Sequence, residues 1–289
     1  MSASTVIVVP VFNGMPQLGE CLASLRWAAA AGVRVLVVDS GSTDGSLEVV
    51  DGAGGWASVL HGAPWMWWTA AVDAGCRSAI GAMGADRLVL LNHDCTWTEE
   101  SFARFADCMD RRPNDIVCSR VLSVGDGRVA FAGGIRHASG MLDIRGFEAE
   151  PETSFPAGPV VWCGGMGVGF DRRVYEAVGG FDAVAFPHYY GDSDFCLRAA
   201  ARGYRVWFCP ESTVVNDAAS SGIDLPREVA RVRDAVRALV SRHSFWNVRD
   251  VLRFYARHAG PSAPLAVLHV YGLYAAIALT RISRPRAAR

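Results

Sequence analysis

The stretch Val37-Val38-Asp39-Ser40-Gly41-Ser42-Thr43-Asp44-Gly45-Ser46 decides the fold class, because an apolar strand ends here in a polar, glycine-containing turn that leads into a helix. Such a turn lies at the carboxyl edge of a parallel sheet, where it presents a carboxylate and backbone N–H groups to a ligand. The apolar runs Thr5–Val9, Val33–Val38 and Arg87–Leu91 are predicted strands, and helix-period segments separate them. This alternation predicts an α/β protein with a doubly wound, mostly parallel sheet and helices on both faces.

A second polar stretch, Tyr190-Gly191-Asp192-Ser193-Asp194-Phe195-Cys196-Leu197-Arg198, places two carboxylates two residues apart at the predicted start of another helix. A carboxylate there can take a proton from an attacking hydroxyl. The two stretches together predict an enzyme that holds a nucleotide at one end of its cleft and activates an alcohol at the other. The alternatives are a helix cap for Asp192 and a first-turn structural acid for Asp194. We favour Asp192 as the base and a supporting role for Asp194.

The composition is that of a chain that can bury a sizeable core. It has 289 residues, 51% hydrophobic and 20% charged, enough for one large domain or two modest ones. Its eight cysteines form no CxxC or Cys/His spacing, which predicts free thiols in a reducing, cytoplasmic compartment and argues against a zinc site. The first predicted strand begins at Thr5, so we expect no signal peptide.

Charge is divided unevenly along the chain. All 28 basic residues are Arg: residues 1–226 hold 16 of them against 26 acids, a balance of −10, and residues 227–289 hold 12 against Glu228, Asp234 and Asp250, a balance of +9. An acidic front and a basic tail of this size predict two surfaces with different partners. We expect no nucleic-acid partner.

The regular alternation of elements stops after the third predicted strand. Residues 115–165 carry glycine pairs and turn signals typical of short strands and loops over a cleft, and Tyr204–Cys209 is predicted to be a late strand closed by Pro210. Beyond about residue 222 the pattern is helical. The predicted apolar faces are Val229, Val232, Val236, Leu239 and Val240 on one helix, and Val248, Val251, Leu252 and Tyr255 on another.

Several segments in chain order carry a family resemblance: Val9-Pro10-Val11-Phe12-Asn13, Asp39, Trp67-Trp68-Thr69-Ala70-Ala71-Val72-Asp73-Ala74-Gly75, Leu91-Asn92-His93-Asp94, Trp162-Cys163-Gly164-Gly165, Gly179-Gly180-Phe181-Asp182, and residues 190–198. Over roughly residues 5–217 the chain resembles a family 2 glycosyltransferase with a GT-A fold. The segment that begins at Trp67 resembles a WWTGAxNxG motif of bacterial, rhamnosyltransferase-like members. We therefore predict a GT-A catalytic domain over residues 1–221, with a nucleotide-sugar half of about 1–120 and an acceptor half of about 121–221. An Arg-rich helical extension is predicted over residues 222–289.

The resemblance also implies roles for single residues, with Asp192 as the catalytic base. The implied donor contacts are Pro10, Phe12, Asn13, Asp39, Trp68, Asp73, Asn92 and His93. The implied acceptor contacts are Trp162, Gly164, Gly165, His188, Tyr189 and Asp194. The residue types alone leave alternatives open, since Asp39 and Asp44 can order their turn through Asx-type hydrogen bonds. We keep that reading for Asp44. Trp67 and Trp68 can be cleft wall, and His188 and Tyr189 can pack beneath the helix.

The chain departs from the family pattern at four positions. Asn92 stands at the first acid of the DxD motif, Gly191 replaces the acid before the base, and Asp73 replaces an Asn. Asn216 followed by Asp217 replaces a metal-binding His. Asp94 and Asn216 can still give oxygen ligands to Mg²⁺ or Mn²⁺, so we predict a weakly bound divalent ion.

The activity that the resemblance implies is inverting transfer of a hexosyl or deoxyhexosyl group from a UDP- or dTDP-linked sugar. The acceptor is a hydroxyl of a glycan, a lipid-linked sugar or a natural product, in cell wall or polysaccharide biosynthesis. A nucleotidyltransferase would carry a basic, glycine-rich loop where Asn13-Gly14-Met15-Pro16 has no charge, and a glycosidase would leave the nucleotide signals unused. A sugar-nucleotide-binding pseudoenzyme stays open as the alternative, because the DxD motif is altered.

The C-terminal segment Leu265–Thr280 is apolar for 16 residues apart from one His. As a helix it measures about 24 Å, too short to cross a hydrocarbon core of ~30 Å comfortably. The arginines around it are Arg249, Arg253 and Arg257 before it and Arg281, Arg284, Arg286 and Arg289 after it. One interpretation is a helix packed on the catalytic domain or on a homodimer partner. We favour the other, a monotopic anchor on the anionic inner face of the plasma membrane that brings the site to a lipid-linked acceptor.

Overall fold

The structure is a computed structural model that describes residues 3–64, 66–217 and 231–282. In chain order the described strands are β1 (Thr5–Val11), β2 (Arg34–Asp39), β3 (Ala57–His61), β4 (Arg87–Leu90), β5 (Cys95–Thr96), β6 (Ile116–Ser123), β7 (Val129–Phe131), β8 (Gly134–Arg136), β9 (Leu142–Ile144), β10 (Gly158–Val160), β11 (Val168–Asp171) and β12 (Val206–Asn216). The described helices are α1 (Gln17–Ser24), α2 (Ala28–Ala31), α3 (Ser46–Asp51), α4 (Trp68–Gly81), α5 (Glu99–Arg111), α6 (Arg172–Val178), α7 (Gly191–Ala200), α8 (Val232–Val240), α9 (Val248–His258) and α10 (Ala263–Ile282).

The central sheet has the strand order β10-β12-β6-β11-β4-β1-β2-β3, with β5 paired to β12 and β7 to β6. The first four strands in the chain are parallel to one another, and so are β6 and β12. Strand β11 lies between the two groups and is antiparallel to both of its neighbours. The predicted α/β class and parallel first half are therefore confirmed, while the second half is a mixed sheet.

Alternate residues of β1 pack on opposite faces of the sheet, which is why this strand is apolar throughout. Val6 and Val8 join a core with α4 on one side. Ile7 and Val9 join a second core with α1 on the other side. A strand buried on both faces has no polar alternation, as the run at Thr5–Val9 indicated.

Strand β12 is longer than the sequence predicted, because it does not end at Pro210. Its pairing with β6 shifts register between Cys209 and Thr213 and then continues to Asn216. Proline is tolerated in a sheet at such an irregularity, since the residue without an N–H is left out of the ladder. The continuation pairs Asn216 with Cys95 of β5, next to Asp94.

The C-terminal helices pack on the second half of the sheet domain. A shared core contains Phe186 and Tyr190 from the sheet domain, Phe254 from α9, and Ala266 and Val270 from α10. Helix α8 packs on the far end of α10 through Ala235 and Ala238. The predicted extension is thus helical, and its boundary at 221/222 lies outside the described residues.

The predicted apolar face of α8 is wrong for Val232, Val236 and Val240, which are exposed, whereas Leu239 is partly buried as predicted. The residues of α8 that are buried are the small Ala235 and Ala238. Val229 lies outside the described residues. On α9 the prediction is half right. Val251 and Tyr255 are buried, whereas Val248 and Leu252 are partly exposed. All eight cysteines are buried and free, as predicted.

Candidate active site

Asp192 lies in the first turn of α7, where its carboxylate faces a glycine pair from the loop between β10 and β11. A Cβ on Gly164 would lie 3.5 Å from Oδ2 of Asp192. The Ser193 N–H donates to Oδ1 at 2.7 Å. Burial raises the pKa of Asp192 to about 6, although hydrogen bonds from Ser193 and the Gly165 backbone favour the charged form. The predicted base is therefore a carboxylate whose pKa lies near neutral pH.

Gly191, one of the departures from the family pattern, has a steric cause. A Cβ at this position would collide with the side chain of Thr69 at the start of α4. The hydroxyl of Thr69 is buried and has no hydrogen-bond partner within the described part of the chain. An acidic side chain before Asp192 would not fit beside this threonine.

Trp68 connects the two sides of the site. Its Nε1 donates to Oδ1 of Asn92 at 2.8 Å. The six-membered edge of its ring covers Gly165, where any side chain would collide with it. Trp68 thus spans from the altered DxD motif to the glycine pair that faces Asp192. The two roles considered for Trp68, cleft wall and donor contact, are therefore compatible with each other.

The loops after β1 and β2 are joined side by side at the edge of the sheet. The Asn13 N–H donates to Oγ of Ser42, and Oδ1 of Asn13 accepts from the Thr43 N–H, both at 2.9 Å. Asp39 is 3% exposed and accepts from the N–H groups of Gly41 and Ser42. Asp39 therefore orders its own turn through Asx-type hydrogen bonds, as Asp44 does by accepting from the Ser46 N–H.

The remaining residues of the predicted donor side differ in exposure. Phe12 is 56% exposed at the rim, and Pro10 is buried within β1. His93 is partly buried and packs over Gly14, where a Cβ would lie 2.6 Å from Cδ2 of the imidazole. His93, the middle residue of the altered DxD motif, therefore packs against the loop that follows β1.

Asp94 and Asn216, the two predicted metal ligands, are neighbours at the end of β12. Asp94 is 4% exposed, and Nδ2 of Asn216 donates to its backbone oxygen at 3.4 Å. The Asp217 N–H donates to the same oxygen at 2.8 Å. Among the described residues no group of three His, Cys, Asp or Glu side chains could hold a metal ion. One carboxylate beside an amide fits an ion such as Mg²⁺ that takes its other ligands from substrate phosphates and water.

Both carboxylate oxygens of Asp73, a predicted donor contact, accept hydrogen bonds from protein groups. Its Oδ1 accepts from Tyr175 Oη and from the Phe181 N–H, and its Oδ2 accepts from Nε of Arg77 at 2.8 Å. The bonds to Oδ1 thus hold α4 against α6 and the loop that follows it, whereas the bond to Oδ2 comes from Arg77 on α4 itself. The extra charge at this position is neutralised by Arg77.

An aromatic cluster lies beside α7. The ring centroids of Trp67 and His188 are 5.3 Å apart, and those of His188 and Tyr189 are 4.6 Å apart. Burial and the nearby charge of His243 lower the pKa of His188 to about 4, and its Nδ1 has no partner within the described chain. The predicted acceptor residues His188 and Tyr189 therefore pack against each other, and the neutral imidazole of His188 lies between the rings of Trp67 and Tyr189.

Two members of this cluster come from the extension and were not predicted. The His243 ring lies 4.6 Å from that of Trp67, and the Phe245 ring lies 6.0 Å from that of Tyr189. Both residues lie in the loop between α8 and α9. The only signal in the sequence is an aromatic group, His243 to Trp246, between two helical segments, and nothing local pairs it with residues near 67 and 188.

Trp162, a predicted acceptor contact, packs against β7 and β8. Its ring packs on Gly134 and edge-on against Phe131, and its Nε1 is buried without a partner in the described residues. An unpaired buried donor is costly, so a ligand oxygen here would be favoured.

Asp194 is fully buried and ties the extension to α7. It accepts from Nε of Arg198 at 2.7 Å, Nη1 of Arg257 at 2.9 Å and Nε2 of His258 at 2.8 Å. These hydrogen bonds lower the pKa of Asp194 against the opposing effect of burial. In this structure the carboxylate contacts basic groups of α7 and α9 and not the cleft, which corrects its prediction as an acceptor contact.

The predicted basic row on α9 is also turned inward. Arg257 bonds Asp182 as well as Asp194, and Arg253 donates to the backbone oxygen of Ala185 at 2.8 Å. Only Arg249 of that row is left exposed without such contacts to the sheet domain.

Comparison with known proteins agrees with this geometry. Residues 6–178, more than half of the chain, match the family model described as Glycosyl transferase family 2. The match ends before α7, and it does not distinguish rhamnosyltransferase-like members from others. No curated protein matches the sequence significantly.

Three solved structures illustrate the likeness in fold. GalNAc-T7 with UDP, GalNAc and Mn²⁺ has a TM-score of 0.61 at 14% identity, over 95% of this chain and 55% of that one. The mannosyltransferase PcManGT from Pyrobaculum calidifontis, in complex with GDP-Man and Mn²⁺, has a TM-score of 0.57 at 16% identity, over 100% and 76%. S. aureus TarS has a TM-score of 0.56 at 15% identity, over 89% and 44%. This chain therefore spans about half the length of GalNAc-T7 and TarS, and the likeness confirms the GT-A fold.

Proposed function

Because this chain belongs to glycosyl transferase family 2, we propose that it transfers a sugar from a nucleoside diphosphate to an acceptor hydroxyl, with inversion at the anomeric carbon and Asp192 as general base. The observation that carries this proposal is the position of Asp192 at the start of α7, against the Gly164–Gly165 backbone, with its pKa raised by burial to about 6. A carboxylate of this pKa is ionised at pH 7.5 and is a stronger base than an ordinary Asp.

The donor is proposed to lie along the carboxyl edge of β1 and β2. The joined loops there hold Asn13 and Asp39 in fixed positions, and backbone N–H groups of such turns suit a nucleotide. We favour a UDP- or dTDP-linked hexose or deoxyhexose. GalNAc-T7 with UDP and PcManGT with GDP-Man support the donor class without deciding the base.

A divalent ion, Mg²⁺ or Mn²⁺, is proposed to bind at Asp94 with Asn216 beside it. When bound it would supply positive charge at the diphosphate leaving group. Asn92 cannot add a carboxylate, and its oxygen already accepts from Trp68. We therefore expect weaker binding than a site with two carboxylates would give.

The acceptor is proposed to lie over the aromatic cluster of Trp67, His188, Tyr189 and His243. Aromatic faces suit the apolar faces of a sugar ring, and the unpaired groups of His188 and Trp162 suit its hydroxyls. We favour a glycan or a lipid-linked sugar in cell wall or polysaccharide biosynthesis as the acceptor, with a natural product as the alternative.

A binding screen tests the donor half of the proposal. UDP-, dTDP- and GDP-sugars are compared by thermal shift with and without Mn²⁺, using Asp39→Ala as the control that should lose the response. A nucleotide at a hundredfold excess over its Kd stabilises the folded state by about 2.7 kcal/mol. A response to none of the three classes would overturn the proposal.

A sugar-nucleotide-binding protein without turnover is the second candidate, and the single carboxylate of the altered DxD motif favours it. Measured donor hydrolysis or transfer decides between the two. Tight donor binding with no turnover under any metal condition would select the binding protein.

A further inference from the structure

The last helix of the described chain has two sides of opposite environment. Helix α10 buries one row at i, i+4 spacing, namely Ala266, Val270, Tyr274 and Ala278. This row packs on the sheet domain, α9 and α8 along the length of the helix. At 3.6 residues per turn, the opposite side carries Leu265, Leu268, Gly272, Ala276 and Leu279, which we call the outer face.

The outer face is apolar and exposed. Leu265, Leu268 and Leu279 are 59%, 69% and 68% exposed, and no charged residue occurs from Pro264 to Thr280. The segment Gly260–Thr280 is long and apolar enough to cross a membrane by length and composition, yet only 22% of its apolar window is buried inside the protein. A solvated surface helix would carry charges on this side, so the pattern marks an interaction surface.

The neighbouring helix adds a second apolar row. Val232, Val236 and Val240 of α8 are 65%, 56% and 72% exposed at i, i+4 spacing. Exposed arginines flank this row at Arg231, Arg233 and Arg237, and the sequence continues beyond α10 with the arginines 284, 286 and 289. These apolar rows are bordered by arginines and carry few acids. They therefore complement a bilayer, whose interior is apolar and whose headgroups can be anionic.

We propose that the outer face of α10 lies in the plane of an anionic lipid bilayer, with the arginines at the headgroups. A helix of 20 residues is about 30 Å long, enough to span. Spanning is excluded by the packed row, because it would carry α8 and α9 with their buried Asp250 and their arginines into hydrocarbon. A helix buried on one side in protein and apolar on the other lies on the membrane rather than across it.

This surface is independent of the proposed function, since it uses none of the residues assigned to donor, metal or acceptor. Donor binding in the thermal-shift screen needs no membrane, so failure of one proposal leaves the other in place.

Co-sedimentation with vesicles tests the proposal. The full chain is mixed with vesicles of phosphatidylcholine alone, or of phosphatidylcholine with about 30% of the anionic lipid phosphatidylglycerol. Bound protein is measured in the pellet. The variant Leu268→Glu/Leu279→Glu changes two exposed residues, so its fold should be retained. The control Val184→Glu adds an acid at a side chain that is 90% exposed on the sheet domain.

We expect the wild-type chain and the Val184→Glu control to pellet with anionic vesicles, and the double variant to stay in the supernatant with at least a tenfold weaker association. Salt should weaken the wild-type association. Equal pelleting of the double variant, or no pelleting of the wild type, overturns the proposal. A wild-type dimer in light scattering that the double variant converts to a monomer, without lipid binding, would identify the outer face as a self-association surface instead.

Discussion

The indole nitrogen of Trp68 donates a 2.8 Å hydrogen bond to the side-chain oxygen of Asn92. This bond joins the start of α4 to the position where the family pattern has an acid. An aspartate at position 92 could keep the bond with one oxygen and offer the other to a cation. The amide therefore explains how the chain retains its local geometry while carrying one carboxylate fewer.

For Asn92→Asp we expect tighter divalent-ion binding, because a second carboxylate would join Asp94. Mn²⁺ is titrated by calorimetry in the presence of UDP, and the dissociation constant should fall several-fold relative to wild type. The matched variant Asp94→Asn should lose the Mn²⁺ signal. An unchanged constant in Asn92→Asp, or full activity of the wild type in EDTA, would contradict the metal site.

Asp192→Asn should fold normally and lose transfer. Removal of a general base typically lowers the rate by ~10²–10⁴-fold. Donor binding, measured by thermal shift, should be unchanged.

Because the folded-state pKa of Asp192 is raised to about 6, its ionisation disfavours the folded state as pH rises from about 4 to 6. Asp192→Asn should lack that fall in stability. In the transfer assay, retention of more than about a tenth of the wild-type rate by this variant would exclude Asp192 as the base.

The pH dependence of the transfer rate should report the ionisation of Asp192. The base acts in its ionised form, so kcat/KM should rise with pH up to about 6 and level off above. Initial rates between pH 4.5 and 8, roughly spanning that value, give the profile. A profile that is nearly flat from pH 4.5 upward, as expected for the ordinary Asp pKa of 3.8, would show that burial does not act on this carboxyl in solution.

His243→Ala should weaken use of the acceptor and leave the donor site intact. The ring lies 4.6 Å from that of Trp67 and belongs to the extension, and none of the proposed donor residues contacts it through a hydrogen bond described above. We expect a higher acceptor KM at unchanged donor KM, and unchanged donor hydrolysis, which needs no acceptor. The control is His269→Ala, a histidine whose Nδ1 bonds Ser139 on another surface. Equal effects of the two variants would place the acceptor elsewhere.

Asp194→Asn should be strongly destabilising without altering the pH limb of Asp192. Removing one partner of a buried ion pair typically costs about 3–5 kcal/mol, because the remaining charges are left uncompensated. Arg257→Gln should cost much less, since Asp194 keeps Arg198 and His258. Urea unfolding of both variants gives the comparison. Similar free energies of unfolding for the two would show that the cluster around Asp194 is not energetically central.

Local patterns in the sequence predicted the part of the fold that local physics determines. The first strands are apolar on both faces, so Thr5–Val9 and Arg87–Leu91 were recognisable, and the turn after Asp39 marked the edge of the sheet. The end of β12 was missed because Pro210 suggests a stop, and only the partner strand shows that pairing resumes after the irregularity.

Partners distant in the chain limited the prediction of the site. The type of Asp73 was visible, but its bonds to Tyr175 and Phe181 depend on how α6 packs. Helix α8 was assigned the wrong face because valines normally pack inward, and here alanines allow close approach to α10 instead. Likewise, nothing near His243 indicates that its neighbour is Trp67.

The tie between Asp194 and the pair Arg257 and His258 has a practical consequence for engineering. Asp194 is two residues from Asp192, so an extension borrowed from a homologue would arrive with its own cations at the back of the catalytic helix. Such a chimaera would need its acid and its basic partners exchanged as one unit, together with the loop that carries His243. Recombination points are therefore better placed before α7 than after it, so that Asp194 and its basic partners stay together.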